Sequence, residues 1–199
     1  MLKRALDIVT SLAALAVLAA PMLLIALAIR LESRGPALFR QRRTGWRGRP
    51  FTMLKFRSMR VDVDPYGGSP RDAHDPRLTR VGRLLRETSL DELPQLLNVL
   101  GGQMSLVGPR PLYERQAELW IPRQRRRLEV RPGLTGYAQA YGRAGLTHED
   151  KIEMDVWYVD NQSHWLDLKI LLRTLANLAA RRGEVYEQRY SQDKERESD

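Results

Sequence analysis

Cysteine is missing from this chain altogether. Its absence excludes disulfide frameworks, zinc–thiolate sites and thiol nucleophiles. Histidine is nearly as scarce. His74, His148 and His164 stand far apart with no ligand spacing, and each reads as a surface or hydrogen-bonded side chain. The sequence contains no internal repeat, no P-loop and no G-x-G-x-x-G run. Beyond Val185 it has little to bury, so 186–199 is expected to be a flexible tail. The remaining length fits one domain with an appendage.

Positive charge is abundant, and it is concentrated. The net charge is +9 and the pI about 10.2. Between Arg30 and Arg60, nine Arg and one Lys face a single acid, Glu32, a surplus equal to that of the whole chain. An anionic partner is expected. Nucleic acid is one candidate and an anionic membrane surface another. Position favours the membrane, because the basic stretch directly follows the one long apolar run.

That run is SLAALAVLAAPMLLIALAI, Ser11 to Ile29, with 18 uncharged residues from Leu12 onward. It reaches the length of a spanning helix. It is too long for a typical signal peptide, and no A-x-A cleavage pattern follows it. Pro21 interrupts it, removing a helix hydrogen bond and favouring a kink. Lys3 and Arg4 precede it, while Arg30, Arg34 and Arg40 follow. Both flanks therefore prefer the cytoplasm. A helix broken at Ala20-Pro21 that leaves by the face it entered satisfies both. A plain span carrying a proline stays open on these residues alone.

The remainder is punctuated and polar. ESRGPALF reads as a turn into a strand, and QRRTGWRGRPFTMLKFRSM as a β-hairpin turning between Arg42 and Arg49. Val61 to Thr79 reads as a long loop and Leu78 to Glu87 as a short basic helix. An apolar helix ends at Leu100 before a Gly-Gly turn and MSLVGPRPL. Tyr113 to Glu129 reads as one charged amphipathic helix, and Arg131 to Arg143 as glycine-rich loop. Helices are expected from Thr147 to about Val159 and from Ser163 to about Arg182. In the last, Trp165, Leu168, Leu171, Leu172, Leu175 and Leu178 recur at helical spacing. A core helix explains that pattern. So does a helix lying in a membrane interface, with Trp at the boundary and Arg reaching head groups.

TSLDELPQLLNVL, from Thr88 to Leu100, places Asp91 beside Glu92. Ser89 and Glu92 have the spacing of a capping box, and acids suit a first helical turn. Taken alone, capping is the favoured explanation. TSLDELPQLLNVLGGQMSLVGPRPL also resembles the signature of the bacterial sugar transferases, monotopic polyprenyl-phosphate sugar-1-phosphate transferases. KRALD, GPALFRQRRTG, FTMLKFRSM, RPGLTGYAQAYGR and DVWYVDNQSHWLDLKILLRTL match the same family in order. The resemblance covers Lys3 to about Leu175 and corresponds to the family's minimal form. One departure is Ala20 before Pro21, where family members often have Ser.

The resemblance implies a mainly α fold with short β-hairpin elements. Its parts would be a re-entrant membrane helix (1–36), interfacial amphipathic helices, and a small cytosolic catalytic domain (37–185). It implies transfer of a sugar 1-phosphate from a UDP-sugar to polyprenyl phosphate, with UMP released. The setting would be the cytoplasmic face of a bacterial inner membrane, as the first membrane step of glycan assembly. Asp91 and Glu92 would be the catalytic pair and the ligands of Mg²⁺, with Asp91 forming a covalent phosphosugar. Chemistry agrees, because two anionic substrates need their repulsion neutralised and a carboxylate can attack phosphorus. Arginines on rigid loops are the expected phosphate ligands. Arg86, Arg110 and Arg131 fit, and Lys55 and Arg57 join them as substrate-binding candidates. Partners would be the two substrates and membrane lipids, with no nucleic acid and with a homodimer permitted. The rival from another class is a membrane-anchored basic adaptor without activity.

Overall fold

The computed structural model describes residues 2–64, 70, 72, 74–142 and 146–180. The expected tail at 186–199 and the end of the last helix, Arg181 and Arg182, lie outside them. The Leu- and Ala-rich N-terminal segment forms one helix, α1 (Leu2–Glu32), with Pro21 inside it. Helical structure is continuous across Ala20-Pro21. At 1.5 Å per residue, 31 residues extend about 46 Å if straight. One side of the middle of α1 is bare, with Val17 76% exposed and Leu23 72%, while Leu15, Leu18, Met22 and Ile25 on the other side pack against the domain.

Both ends of α1 are fastened to the rest of the chain. Near its start, Lys3 Nζ meets Asp167 Oδ2 at 2.6 Å. Arg4 donates to the carbonyls of Val99 and Leu100. Asp7 is buried, and its Oδ1 accepts from Ser105 Oγ at 3.1 Å and from the Leu106 amide at 3.0 Å. At the other end the last carbonyls of a helix lack partners of their own. The buried Arg57 supplies donors, reaching the oxygens of Arg34 at 2.6 Å and Ser33 at 2.8 Å. Glu32 then caps the next helix, accepting from the Arg80 and Val81 amides at 2.6 and 3.0 Å.

The hairpin forms as its alternation and glycine turn predict. Strand β1 (Leu38–Thr44) pairs antiparallel with β2 (Pro50–Phe56), with Leu38 opposite Phe56 and Thr44 opposite Pro50. Arg47 (φ 55°) and Gly48 (φ 74°) make the reversal in the left-handed region. Next come α2 (Arg80–Glu87) and α3 (Gln95–Leu100). The buried Asn98 of α3 pairs with the free edge of β2. Its Oδ1 accepts from the Leu54 amide at 2.9 Å, and its Nδ2 donates to Thr52 O at 2.8 Å.

A second small sheet was not legible in the sequence. Strand β3 (Ser105–Val107) lies parallel to β4 (Gly133–Thr135). Three residues are too few to display an alternating pattern, and the segment from Arg131 reads as loop. Gly133 permits the approach: a Cβ there would sit 2.1 Å from the amide nitrogen of Gly108. The expected helix from Tyr113 to Glu129 is divided by Pro122. The chain makes α4 (Glu114–Glu118), α5 (Pro122–Arg125) and a 3₁₀ turn, Arg126–Glu129. Trp120 at the break is buried with Ile152 and Val156. The rest of the expected glycine-rich loop yields α6 (Tyr137–Tyr141).

Two longer helices complete the domain, α7 (His148–Asp160), capped by Thr147, and α8 (His164–Ala179), capped by Ser163. The main core gathers Met53, Leu96, Val99, Met104, Val107, Tyr158 and Ile170. A second cluster packs Ile29 of α1 on Phe56 and Leu85. In α8, Ile170 faces the core, while Trp165, Leu168, Leu172 and Leu175 are exposed. A helix wholly inside the core is therefore excluded, and the apolar stripe faces outward.

Asn98→Ala leaves the Leu54 amide and the Thr52 carbonyl without their partner. Unpaired buried groups cost about 1–3 kcal/mol each, so a loss of about 2–4 kcal/mol is expected. Thermal unfolding in detergent measures it, and a variant as stable as wild type would rule out the clamp.

Candidate active site

Asp91 and Glu92 owe their position to a reversal between two helices. After α2 ends, Ser89 adopts φ 56°, ψ 15°, a left-handed conformation without a glycine. Such residues are held by their surroundings and carry local strain. The chain then makes a single 3₁₀ turn, Leu90–Glu92, before Pro94 leads into α3. Ser89 makes no side-chain cap to this turn. The expected capping box is thus not formed, because the left-handed Ser89 does not present its hydroxyl to the next amides. Glu92 points instead to cations.

Two cations from different elements converge on Glu92. Lys55 Nζ, on β2, lies 2.7 Å from Glu92 Oε1 and 3.9 Å from Asp91 Oδ2. Arg110, after β3, lies 3.2 Å from the same Glu92 oxygen. Arg86, in the last turn of α2, is close enough for its charge to act on Asp91. Asp91 itself is 6% exposed.

The two carboxylates respond differently to this setting. Burial pushes Asp91 above the usual carboxylate range, and the pull of Lys55, Arg86 and Arg110 does not outweigh burial and the neighbouring Glu92. Burial also acts against ionised Glu92. There the charges and hydrogen bonds of Lys55 and Arg110 win, and its pKa is held down at about 2. Adjacent acids driven apart in this way can take separate roles, one a fixed anion and one a reactive group.

The segment bearing Arg110 is rigid. Pro109 and Pro111 restrict its dihedrals. Backbone bonds fasten it on both sides: the Gly108 amide to Thr135 O at 2.9 Å, Pro109 O from the Gly133 amide at 2.9 Å, and Leu112 O from the Thr44 amide at 2.9 Å. The short β3–β4 sheet therefore serves as the base for this loop.

Five of the seven residues singled out in the sequence gather here: Lys55, Arg86, Asp91, Glu92 and Arg110. The other two are engaged elsewhere. Arg57 follows β2 and is buried against the carbonyls of Ile29 in the last turn of α1 and of Ser33 and Arg34 just past it, so its guanidinium is committed to ending that helix. Arg131 donates to Gly102 O at 2.9 Å and stacks over the Trp46 ring at 4.6 Å. Sequence reasoning missed Asn98, whose amide in an apolar helix was the available signal, and Ser89, whose conformation leaves no mark in composition.

The donor set fits Mg²⁺. The acid pair offers hard oxygen ligands, and Mg²⁺ commonly uses one or two carboxylates with phosphate oxygens and water. Among the described residues no cluster of three or more His, Cys, Asp or Glu exists, so a closed protein cage is not on offer.

A buried acid pair ringed by Lys and Arg thus shares one domain with a long apolar helix. The bacterial sugar transferase family model matches residues 1–181, and the chain belongs to that family. It is 46% identical over 182 residues to the uncharacterized sugar transferase EpsL of Bacillus subtilis, covering 92% of this chain and 89% of that protein. It is 50% identical over 185 residues to a UDP-glucose:undecaprenyl-phosphate glucose-1-phosphate transferase of Caulobacter vibrioides, covering 88% and 69%. An Escherichia coli protein of the same description is 43% identical over 183 residues, 88% of this chain and 39% of that one.

A depressed pKa stabilises the fold above the unfolded value and ceases to do so as pH falls through the folded one. For Glu92 that window runs from the ordinary 4.5 down to about 2. Wild type should melt above Glu92→Gln at neutral pH, and the gap should close across this window. A gap independent of pH would show that the Lys55 and Arg110 contacts do not hold Glu92 ionised.

Proposed function

We propose that this protein transfers a sugar 1-phosphate from a UDP-sugar to polyprenyl phosphate, releasing UMP. The observation that carries the reading is the buried Asp91 beside a Glu92 fixed by Lys55 and Arg110, with Arg86 acting on the same pair. Several cations at one buried point suit a diphosphate. The descriptions of the Caulobacter and Escherichia relatives name this reaction with UDP-glucose and undecaprenyl phosphate.

The chemistry follows from the residues. Arg86 and Arg110 bind the diphosphate and orient its β-phosphorus toward Asp91. An Asp91 carboxylate oxygen attacks that phosphorus, and the bond to the oxygen bridging the α-phosphate breaks. UMP departs with that oxygen, leaving the sugar phosphate on Asp91 as an acyl phosphate. An oxygen of polyprenyl phosphate then attacks the same phosphorus, and the Asp91 oxygen–phosphorus bond breaks. The product is a polyprenyl diphosphate sugar, with Asp91 regenerated. Lys55 keeps Glu92 ionised and neutralises charge around the transferring group. Mg²⁺ held by Asp91 and Glu92 would add charge neutralisation at the phosphates. Desolvation of Asp91 strengthens every interaction it makes.

The membrane placement belongs to the same reading. Both ends of α1 bind one domain, through Lys3–Asp167 and through Arg57. A helix crossing a bilayer would carry its ends to opposite faces. α1 therefore serves as a re-entrant or monotopic anchor, the exposed side of its middle in lipid and both termini on the cytoplasmic side. The exposed stripe of α8 lies against the same surface, with Trp165 at the boundary. The basic stretch from Arg30 to Arg60 meets anionic head groups. A basic adaptor would explain the charge and the anchor, but it has no use for a buried acid pair.

Cysteines introduced near Leu2 and Arg34 should be labelled from the same, cytoplasmic, side. Labelling of the N-terminal site from the periplasm alone would sink the re-entrant anchor while leaving the chemistry standing. For the chemistry, Asp91→Asn should lower UMP release at least about a thousandfold, roughly 4 kcal/mol of barrier, with little change in melting temperature. Wild type given a UDP-sugar without lipid acceptor should release up to one equivalent of UMP and carry the sugar phosphate on Asp91. Peptide mass mapping after acid quench locates it. An active Asp91→Asn would refute the assignment. An active wild type that forms no adduct would refute only the two-step route.

A further inference from the structure

Arg110 is held in place by contacts on the side of the loop away from Glu92. Of the polar contacts to the Gly108–Leu112 loop, those of Gly108, Pro109 and Leu112 come from backbone groups. The carbonyl of Arg110 is instead met by a side chain, Arg127, whose NH2 donates to it at 2.7 Å. The same nitrogen also donates to Asp155 Oδ2. Both partners are deeply buried, at 3% exposure each, and the Arg127 guanidinium lies over the Trp120 ring at 4.8 Å. Asp155 sits on α7 and Arg127 on the 3₁₀ turn before β4, so the pair joins two elements beneath the loop.

This arrangement is costly. Taking two charges out of water carries a penalty that hydrophobic side chains of similar volume would avoid. The Trp120–Ile152–Val156 cluster around it could have been completed by an apolar pair. What an apolar pair could not do is donate to the Arg110 carbonyl. Pro109 and Pro111 already fix φ on either side of Arg110, and its carbonyl sets the remaining freedom of that peptide. Holding this oxygen sets the direction in which the Arg110 side chain leaves the backbone.

We infer that the Arg127–Asp155 pair is a positioning device for Arg110, with Asp155 orienting the Arg127 fork and Arg127 fixing the Arg110 carbonyl. Neither residue touches the substrates. Their effect reaches the reaction through the Arg110 guanidinium on Glu92 and on the donor's diphosphate. The inference rests on the proposed function for the identity of that ligand.

A double-mutant cycle in the full-length, detergent-solubilised protein tests it. Arg127→Lys keeps a cation but loses the planar guanidinium that lies over Trp120 and aims one nitrogen at both acceptors. It should cut kcat/KM for UMP release by about 10- to 100-fold, as expected for a misplaced binding group. UDP affinity, measured by calorimetry with Mg²⁺, should fall in parallel. In an Arg110→Ala background the same Arg127→Lys change should alter neither quantity by more than about twofold, because coupled residues are not additive. Asp155→Asn, which keeps the shape of the side chain, should behave likewise and serves if Arg127→Lys does not fold. Equal fold-losses in both backgrounds would overturn the inference and assign the pair to folding alone. So would a wild-type kcat/KM and UDP affinity in both folded single variants. If Arg110→Ala itself leaves UDP affinity and turnover intact, the role given to Arg110 in the proposed function fails, a result distinct from additive losses.

Discussion

Two carboxylates on consecutive residues cannot both be buried unless positive charge is brought to them. Much of the domain follows from that constraint. Lys55 arrives on β2, whose outer edge Asn98 secures to α3. Arg110 arrives on a loop seated on the β3–β4 pair. Arg86 arrives at the end of α2, whose first amides Glu32 of α1 caps. Three separate parts of the fold thus deliver one cation each. None could be shifted without exposing the acid pair or leaving its charge unmet.

Long, strongly patterned features were legible in the sequence. The apolar run, the hairpin around its glycine turn and the Thr147- and Ser163-capped helices follow from local chemistry. The weight placed on Asp91 and Glu92 came from the resemblance of TSLDELPQLLNVLGGQMSLVGPRPL to a family signature, since local rules favoured capping. Pro122, a helix breaker at the first-turn position of α5, was visible but was outweighed by the charge pattern around it. The parallel strands were not legible, because their pairing joins residues far apart through short segments such as Ser105–Val107 and Gly133–Thr135.

The site cations divide along the same line. Lys55 and Arg110 could be nominated from composition and flanking residues. Nothing local separates Lys55 from Arg57, two positions further on. The difference is tertiary: Arg57 lies past the end of β2, where the α1 carbonyls need donors. Arg131 was nominated for its glycine-rich neighbours, and of those Gly133 allows strands β3 and β4 to approach. Glycine-rich sequence marks close approach of some kind and does not say to what.

The fastening of α1 has a consequence for the order in which the protein is made. Lys3 leaves the ribosome well before its partner Asp167, which lies 164 positions later. Arg4 waits for Val99, 95 positions on, and Asp7 waits for Ser105. Through most of synthesis these charged and polar groups at the helix start have no protein partners. Solvent must satisfy them until α8, which carries Asp167, has been made. The start of α1 is thus made before every partner that fastens it, and is among the last parts of the fold to be locked in place.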